Sequence, residues 1–239
     1  MRKSLGLLGA ALALFGASMA ASAAKIAIIG SGNVATALGP GFAAQGHTIV
    51  YGSRNPSEQK VKDLVAKTGH GATAVPQNDA VKGADIVVLA VPGTAAEQVV
   101  KSLGDLSGKI ILDPTNRVDR GTPDGYANYG LAATLGSNAE LIQALQPKAH
   151  VVKAFNTLNV KQMIDPASSG GPLSIPIVGD DAKSREVVAA LVKGMKLEPV
   201  DLGPLRFARV LEEMLVIWAN ARSHGAPYNY YLRPEPKQN

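Results

Sequence analysis

Residues 25–35, KIAIIGSGNVA, contain the stretch that decides the fold. The apolar run KIAII is typical of a short buried strand, and the segment GSGNVA follows it without a spacer. Beyond this segment, apolar residues recur at helical spacing. A strand, a glycine-rich turn and a helix in this order predict the first βαβ unit of a parallel sheet.

The alternation of strand and helix continues downstream and predicts an α/β fold. Further strands are predicted at 47–52, 84–91, 109–112, 150–155, 173–178 and 197–200, and helices at 57–68, 94–103, 138–145, 181–193 and 205–221. This pattern favours a doubly wound (Rossmann), mostly parallel sheet with a small C-terminal α/β lobe. The predicted main domain covers 24–155, and the lobe covers 156–239 and packs on it.

The last predicted helix, 205–221, carries an apolar stripe. Its members are Leu205, Ala208, Leu211, Leu215 and Trp218. A stripe at this spacing indicates either packing on the core or the seam of a homodimer.

The first residues resemble a secretory signal peptide. Arg2 and Lys3 precede an apolar run, and a small-x-small cleavage site ends at Ala23, with a second possible site ending at Ala20. We therefore expect residues 1–23 to be removed, the mature chain to lie in the periplasm, and no stable association with a membrane after cleavage. An uncleaved membrane anchor is the alternative, although the run is short for a span, which needs about 20 apolar residues.

Composition argues against several classes of function. Removal of residues 1–23 takes away two cations and leaves 22 basic against 19 acidic residues, a formal charge of +3. These cations are scattered and aromatic residues make up only 5% of the chain, which argues against a nucleic-acid partner. The chain has no cysteine, and its four histidines lack the spacing of ligands, so no metal site is predicted.

The glycine motif predicts a dinucleotide site. Gly30 permits the tight turn, Gly32 lets the backbone approach a pyrophosphate, and Ala35 allows close packing of helix on strand. The amides of Ser31, Asn33 and Val34 would then face the phosphates at the positive end of the helix dipole.

The segment GSRNP at the end of the second strand indicates which dinucleotide binds. An acidic residue there would accept hydrogen bonds from a ribose hydroxyl and select NAD, but this chain has Ser53 and Arg54. Ser53 can donate to a 2′-phosphate, Arg54 can pair with it bidentately, and Lys60 can add charge from the next helix. We therefore predict NADP. A solvated turn in which Arg54 binds nothing is the alternative.

Three later strands end at the same edge of the predicted sheet. Ala90, Val91 and Pro92 end one of them, and small side chains around Pro92 leave room for a nicotinamide ring. Asn116 closes the segment DPTN after the next strand, where an ordinary Asx turn is the alternative, and the segment KAFN (153–156) ends a later strand.

Six segments in this order resemble the NADPH-dependent deazaflavin (factor 420) reductases. They are GSGNVATALG (30–39), GSRNP (52–56), LAVP (89–92), DPTN (113–116), VVKAFNT (151–157) and VDLGPLRFARVLEEM (200–214). The resemblance extends to the NADPH-binding domain of the six-transmembrane metalloreductases, in which NADPH reduces a flavin. It implies a homodimer, with nicotinamide near Val91, Pro92, Ala154 and Asn156. It also implies direct hydride transfer between NADP(H) and a second redox molecule, a deazaflavin (factor 420) or FMN/FAD. No side chain is assigned a catalytic role in this transfer.

Two other functions stay open at the level of sequence. The first is a dehydrogenase or imine reductase of the 6-phosphogluconate dehydrogenase-like group, for which little chain remains after residue 155. The second is a non-catalytic exported NADP-binding protein, which an export signal would favour. The irregular segment 117–137 and the tyrosine-rich tail 228–234 have no assigned role.

Overall fold

The computed structural model describes residues 23–117, 136–226 and 229–235. The strands are β1 (Lys25–Ile29), β2 (Thr48–Ser53), β3 (Thr73–Pro76), β4 (Ile86–Leu89), β5 (Ile110–Asp113), β6 (His150–Lys153), β7 (Ser174–Gly179) and β8 (Glu198–Asp201). The helices are α1 (Asn33–Ala43), α2 (Gln59–Thr68), α3 (Gln77–Ala80), α4 (Ala96–Ser102), α5 (Asn138–Leu145), α6 (Val160–Ile164), α7 (Ala182–Gly194) and α8 (Ala208–Ser223). The predicted signal peptide, most of segment 117–137 and Tyr228 of the tail lie outside the described residues.

The eight strands form one sheet in the order β3-β2-β1-β4-β5-β6-β7-β8. Strands β1 to β6 run parallel, β7 pairs antiparallel with β6, and β8 pairs parallel with β7. The predicted doubly wound, mostly parallel α/β sheet is therefore confirmed. The C-terminal α/β unit of β7, α7 and β8 continues this sheet, and the proposed boundary between residues 155 and 156 stays a prediction.

Alternating residues of the central strands bury both faces of the sheet. Ile26 and Ile28 pack into a core with α1, α2, α6 and α7, whereas Ala27 and Ile29 pack into a second core with α3, α4, α5 and α8. Side chains of successive strand residues point to opposite faces, so a strand covered on both faces must be apolar throughout. This explains why KIAII reads as a continuous apolar run.

Three elements were not predicted from the sequence. The edge strand β3 is only four residues long and partly exposed, so it lacks the apolar run that marks the central strands. Helix α3 has four residues and α6 has five, too few for a helical repeat to show in the sequence.

The structure shows what part of the apolar stripe predicted for 205–221 contacts. Leu205, Ala208 and Leu211 are buried in the chain's own core, so this part of the stripe is core packing. On another part of the helix surface, Val210 and Ile217 are 55% and 62% exposed.

A buried ion cluster joins α8 to the ends of β5 and β6. The Nζ atom of Lys153 lies 2.7 Å from Asp113 Oδ2, 2.6 Å from Glu212 Oε1 and 2.6 Å from the carbonyl oxygen of Thr115. The side chains of Lys153 and Asp113 are fully buried, and that of Glu212 is 4% exposed. The buried ammonium thus has a hydrogen bond to a carbonyl oxygen and two carboxylates as counter-ions, and a buried charge is tolerated when it is paired in this way.

Backbone amides donate hydrogen bonds to the two carboxylates. Asp113 Oδ1 accepts a hydrogen bond from the Thr115 amide at 2.8 Å. Glu212 accepts from the amides of Arg117 and Asn138, each at 2.9 Å. The cluster therefore holds the backbone of Arg117 and of Asn138 against α8.

The environment of the cluster shifts the pKa values of two of its members. Burial alone would lower the pKa of Lys153, but the charges of Asp113 and Glu212 outweigh it and raise that pKa above its usual value. Burial raises the pKa of Glu212; Lys153 opposes this shift and Asp113 adds to it. Lys153 is therefore the firmly charged member at neutral pH, and Glu212 is the group whose ionisation burial opposes.

Substitution of Lys153 tests the contribution of this cluster to stability. We expect Lys153→Met to lower the free energy of unfolding at neutral pH by about 3–5 kcal/mol, because two buried carboxylates lose their counter-ion. In mildly acidic solution the loss should be smaller, because protonation of Glu212 removes part of the uncompensated charge. Urea unfolding at both pH values measures this.

The matched control is Lys101→Met, which removes an exposed ion pair with Glu97. The side chains of that pair are 57% and 50% exposed, and solvent screens such surface pairs so that they add little to stability. Equal stability of the two variants at neutral pH would contradict the structural role of Lys153.

Candidate functional site

A glycine turn joins the ends of β1, β2 and β4. Gly30 has a φ of +110°, a conformation that other residues rarely adopt, and a Cβ atom there would overlap the carbonyl oxygen of Ala90. The Gly30 amide donates to the carbonyl oxygen of Gly52 at 2.8 Å. The turn is therefore held by the strands on both sides of β1, and only glycine fits it.

Gly32 faces open space and begins α1. Its φ is −83°, which any residue can adopt, and among the described residues no atom lies within 4 Å of a Cβ placed there. The first hydrogen bond of the helix runs from the Thr36 amide to the carbonyl oxygen of Gly32, at 3.1 Å. The preceding amides have no partner inside the helix, as at every helix start, and can bind an anion.

A cleft of about 1000 Å³ lies over this turn. Ten of the predicted cofactor residues line it: Gly30, Ser31, Gly32, Asn33, Ser53, Arg54, Lys60, Ala90, Val91 and Pro92. The structure thus brings together the glycine turn, the end of β2 and the end of β4. The cleft has the size of a small-molecule site and lies at the carboxyl edge of the sheet.

Four predicted residues do not line this cleft. Val34 is partly buried and packs against the core, while Ala154 and Asn156 are buried at the end of β6. Asn116 follows β5 and is joined to Asn156 by two hydrogen bonds. Contact of these four residues with a dinucleotide stays a prediction.

The end of the cleft next to β2 carries mixed charge. Ser53 is buried and accepts a hydrogen bond from the Asn55 amide at 3.1 Å, while Arg54 is exposed. The Nζ atom of Lys60 lies 3.1 Å from Glu58 Oε1. Lys60 is therefore already paired at the surface, and Arg54 is the cation that remains available for a phosphate at this end.

Sequence reasoning missed one wall of the cleft. Seven further residues line it, namely Asn55, Glu58, Gln77, Ala95, Gln98, Val99 and Ser102. The last four belong to α4 or to the 3-10 turn before it. The helix that follows β4 could have been named from the doubly wound topology, since that helix begins at the same edge of the sheet.

A buried polar layer lies beside the cleft at the ends of β5 and β6. Asn156 donates to Asn116 Oδ1 at 3.0 Å and to the carbonyl oxygen of Leu211 at 2.9 Å. Asn138 donates to Thr115 Oγ1 at 2.9 Å and to the carbonyl oxygen of Gly93 at 3.0 Å. These bonds connect the strand end at Pro92 to the ion cluster of Lys153.

The chain reverses sharply within this layer. Phe155 has a φ of +65°, an uncommon value for a bulky residue, and its ring packs edge-on against Phe42 with centroids 6.1 Å apart. The buried ring holds the strained backbone in place. The reversal directs Asn156 toward Asn116.

The described residues contain neither a group of candidate metal ligands nor a helix that could span a membrane. Among residues 23–117, 136–226 and 229–235, no three His, Asp or Glu side chains are grouped as metal ligands would be. In the same part of the chain, no helix is long and apolar enough to cross a membrane.

Comparison with known proteins relates these features to NADP oxidoreductases. The family described as NADP oxidoreductase, coenzyme F420-dependent, matches residues 25–117. The F420-dependent NADP reductase of Methanothermobacter thermautotrophicus is 25% identical over 219 residues, which cover 87% of this chain and 94% of that protein. A solved structure of a candidate F420-dependent NADP reductase from Arthrobacter sp. FB24 is 28% identical and superposes with a TM-score of 0.73, covering 85% and 96% of the two chains.

A second group of relatives is much longer. Metalloreductase STEAP3 of Rattus norvegicus is 28% identical over 190 residues, which cover 80% of this chain but only 36% of that protein. This chain thus spans about a third of the length of the metalloreductases that it matches. Residues 25–117, which form the glycine turn and line the cleft, are therefore similar to the coenzyme F420-dependent NADP oxidoreductases.

Proposed function

We propose that this protein transfers hydride between NADP(H) and a deazaflavin or flavin-type acceptor. One observation carries the proposal: the cleft over the glycine turn ends at β2 in Ser53 and Arg54, where an acidic residue would select NAD. The match of residues 25–117 to a family of NADP oxidoreductases supports it. The acceptor is proposed from the family description and from the F420-dependent relative.

The residues of the cleft fit a dinucleotide phosphate. The space in front of Gly32 is open, and the first amides of α1, which begins there, have no partner inside the helix. Ser53 and Arg54 would hold the 2′-phosphate, and Ser31 and Asn33 would hold the pyrophosphate through their amides. When bound, NADPH supplies the hydride, so the chain need not supply a redox group of its own.

The role of the protein in the transfer is to position the two rings and to exclude water. Val91 and Pro92 line the cleft at the end of β4, and Ala154 and Asn156 are fixed in the buried layer beside it. A rigid edge of this kind holds reacting atoms at close distance, which is a large part of the rate gain in a two-substrate reaction. The acceptor ring would enter from this side of the cleft.

We also propose that the chain is exported and forms a homodimer. The exposed apolar side chains of α8, Val210 and Ile217, support a dimer through this helix. Sedimentation of the purified protein tests the dimer, and a monomer at high concentration would exclude it. N-terminal sequencing after cell fractionation tests export, and an intact Met1 in the cytoplasmic fraction would exclude it.

Arg54→Ala tests the choice of dinucleotide. We expect this change to weaken NADP binding by about 1.5–3 kcal/mol, the contribution of a charge-assisted hydrogen bond, and to leave NAD binding nearly unchanged. Calorimetric titration of both dinucleotides against both proteins measures the difference. Equal losses for NADP and NAD would show that Arg54 does not contact the 2′-phosphate.

Mixing the protein with NADPH and an acceptor tests the reaction. We expect a deazaflavin or flavin to be reduced while the absorbance of the reduced nicotinamide falls. Gly32→Val is the matched control: its side chain would fill the space meant for the pyrophosphate without touching protein atoms, so binding and turnover should vanish while the circular dichroism spectrum persists. NADPH binding without reduction of any acceptor would favour the non-catalytic alternative.

A further inference from the structure

The ion cluster beneath the predicted nicotinamide site is unbalanced in charge. It holds one ammonium, that of Lys153, and two carboxylates, those of Asp113 and Glu212. With all three groups ionised, the cluster carries one net negative charge. The proposed transfer of hydride does not require any of these side chains, and a single carboxylate would neutralise Lys153.

The cluster lies directly behind the residues predicted to face the nicotinamide. Lys153 immediately precedes Ala154, and the amide that binds Asp113 belongs to Thr115, the neighbour of Asn116. Through Asn138, the Glu212 carboxylate is two hydrogen bonds from the carbonyl oxygen of Gly93, next to Pro92 in the cleft. A negative potential from the cluster therefore extends to all three strand ends of this edge.

Burial keeps this potential from being screened. Lys153 and Asp113 are fully buried, so no solvent or salt can approach their charges directly. Charges in such surroundings interact several times more strongly than charges in water. Ion pairs and hydrogen bonds hold the charged groups to the ends of β5 and β6 and to α8, which defines their position relative to the cleft.

The two redox states of the dinucleotide differ in charge at the ring nearest this cluster. The nicotinamide ring is a cation in NADP⁺ and is neutral in NADPH. We propose that the Asp113–Lys153–Glu212 cluster is a positioning and electrostatic device that favours the cationic ring and so promotes departure of hydride from NADPH. The proposal rests on the proposed function, since it assumes that the dinucleotide occupies this cleft.

Removing one negative charge at a time tests the proposal. Glu212→Gln and Asp113→Asn each neutralise one carboxylate, from α8 and from β5 respectively, with almost no change in shape. The quantity to measure is the ratio of Kd for NADP⁺ to Kd for NADPH, by calorimetry. For a charge about 10 Å from the ring at an effective dielectric constant of about 20, each variant should raise this ratio roughly tenfold.

Two further variants separate charge from packing. Glu212→Asp keeps the charge and should keep the wild-type ratio, even if both affinities fall. Glu186→Gln makes the same chemical change on the exposed surface of α7, where solvent screens it, and should also keep the ratio. Because the two test variants lie on different elements, either one that folds suffices for the test.

The outcomes distinguish failure of the electrostatic role of the cluster from failure of the proposed function. A ratio that stays within twofold of the wild-type value in Glu212→Gln or Asp113→Asn would overturn the electrostatic role, and so would an equal loss of both affinities. A ratio that rises as much in Glu212→Asp would overturn it too. If the wild-type protein binds neither NADP⁺ nor NADPH, the proposed function itself fails.

Discussion

The buried ammonium of Lys153 is the constraint on which the functional edge of this protein depends. It is fully buried and lies against two carboxylates and one carbonyl oxygen: Asp113 and Thr115 at the end of β5, and Glu212 on α8. Replacement of such a cluster by apolar side chains is often neutral or stabilising, so its value lies less in stability than in specifying one arrangement. Here that arrangement sets the ends of β5 and β6 against α8 and α5.

The two ends of the cleft are built on different physical principles. At the end near β2, the groups proposed to bind phosphate are backbone amides and exposed side chains such as Arg54, which water and salt reach easily. Beside the other end, Asn116 and Asn156 are hydrogen-bonded to each other, and Asn138 is bonded to Thr115 and to Gly93. The first end suits recognition of a phosphate, and the second suits the precise placement of a reacting ring.

Local sequence signals predicted the first of these ends well. The segments KIAIIGSGNVA and GSRNP each carry their structural meaning within a few residues, because a tight turn and a strand end are local features. The structure places residues 30–33 of the first segment and residues 53–55 of the second around one cleft. The four-residue strand β3 was not predicted, because a partly exposed strand at the edge of the sheet does not need an apolar side chain at every position.

The second end could not be predicted from local patterns. Glu212 meets the Arg117 amide across 95 residues and the Asn138 amide across 74, and no spacing rule links such positions. The segment KAFN marked the right strand end, but it gave no sign that Lys153 points into the core and not toward the cleft. Only the fold shows that this lysine and two distant carboxylates share one buried site.

A crystal structure of the protein with NADP⁺ tests the central claim most directly. The account predicts the 2′-phosphate within hydrogen-bond distance of Ser53 and Arg54, the pyrophosphate against Gly32, and the nicotinamide ring against Pro92 with the Lys153 cluster behind it. Density for the dinucleotide in the reverse orientation would contradict the account. So would density in the second hollow, which lies between α1 and the segment 163–167.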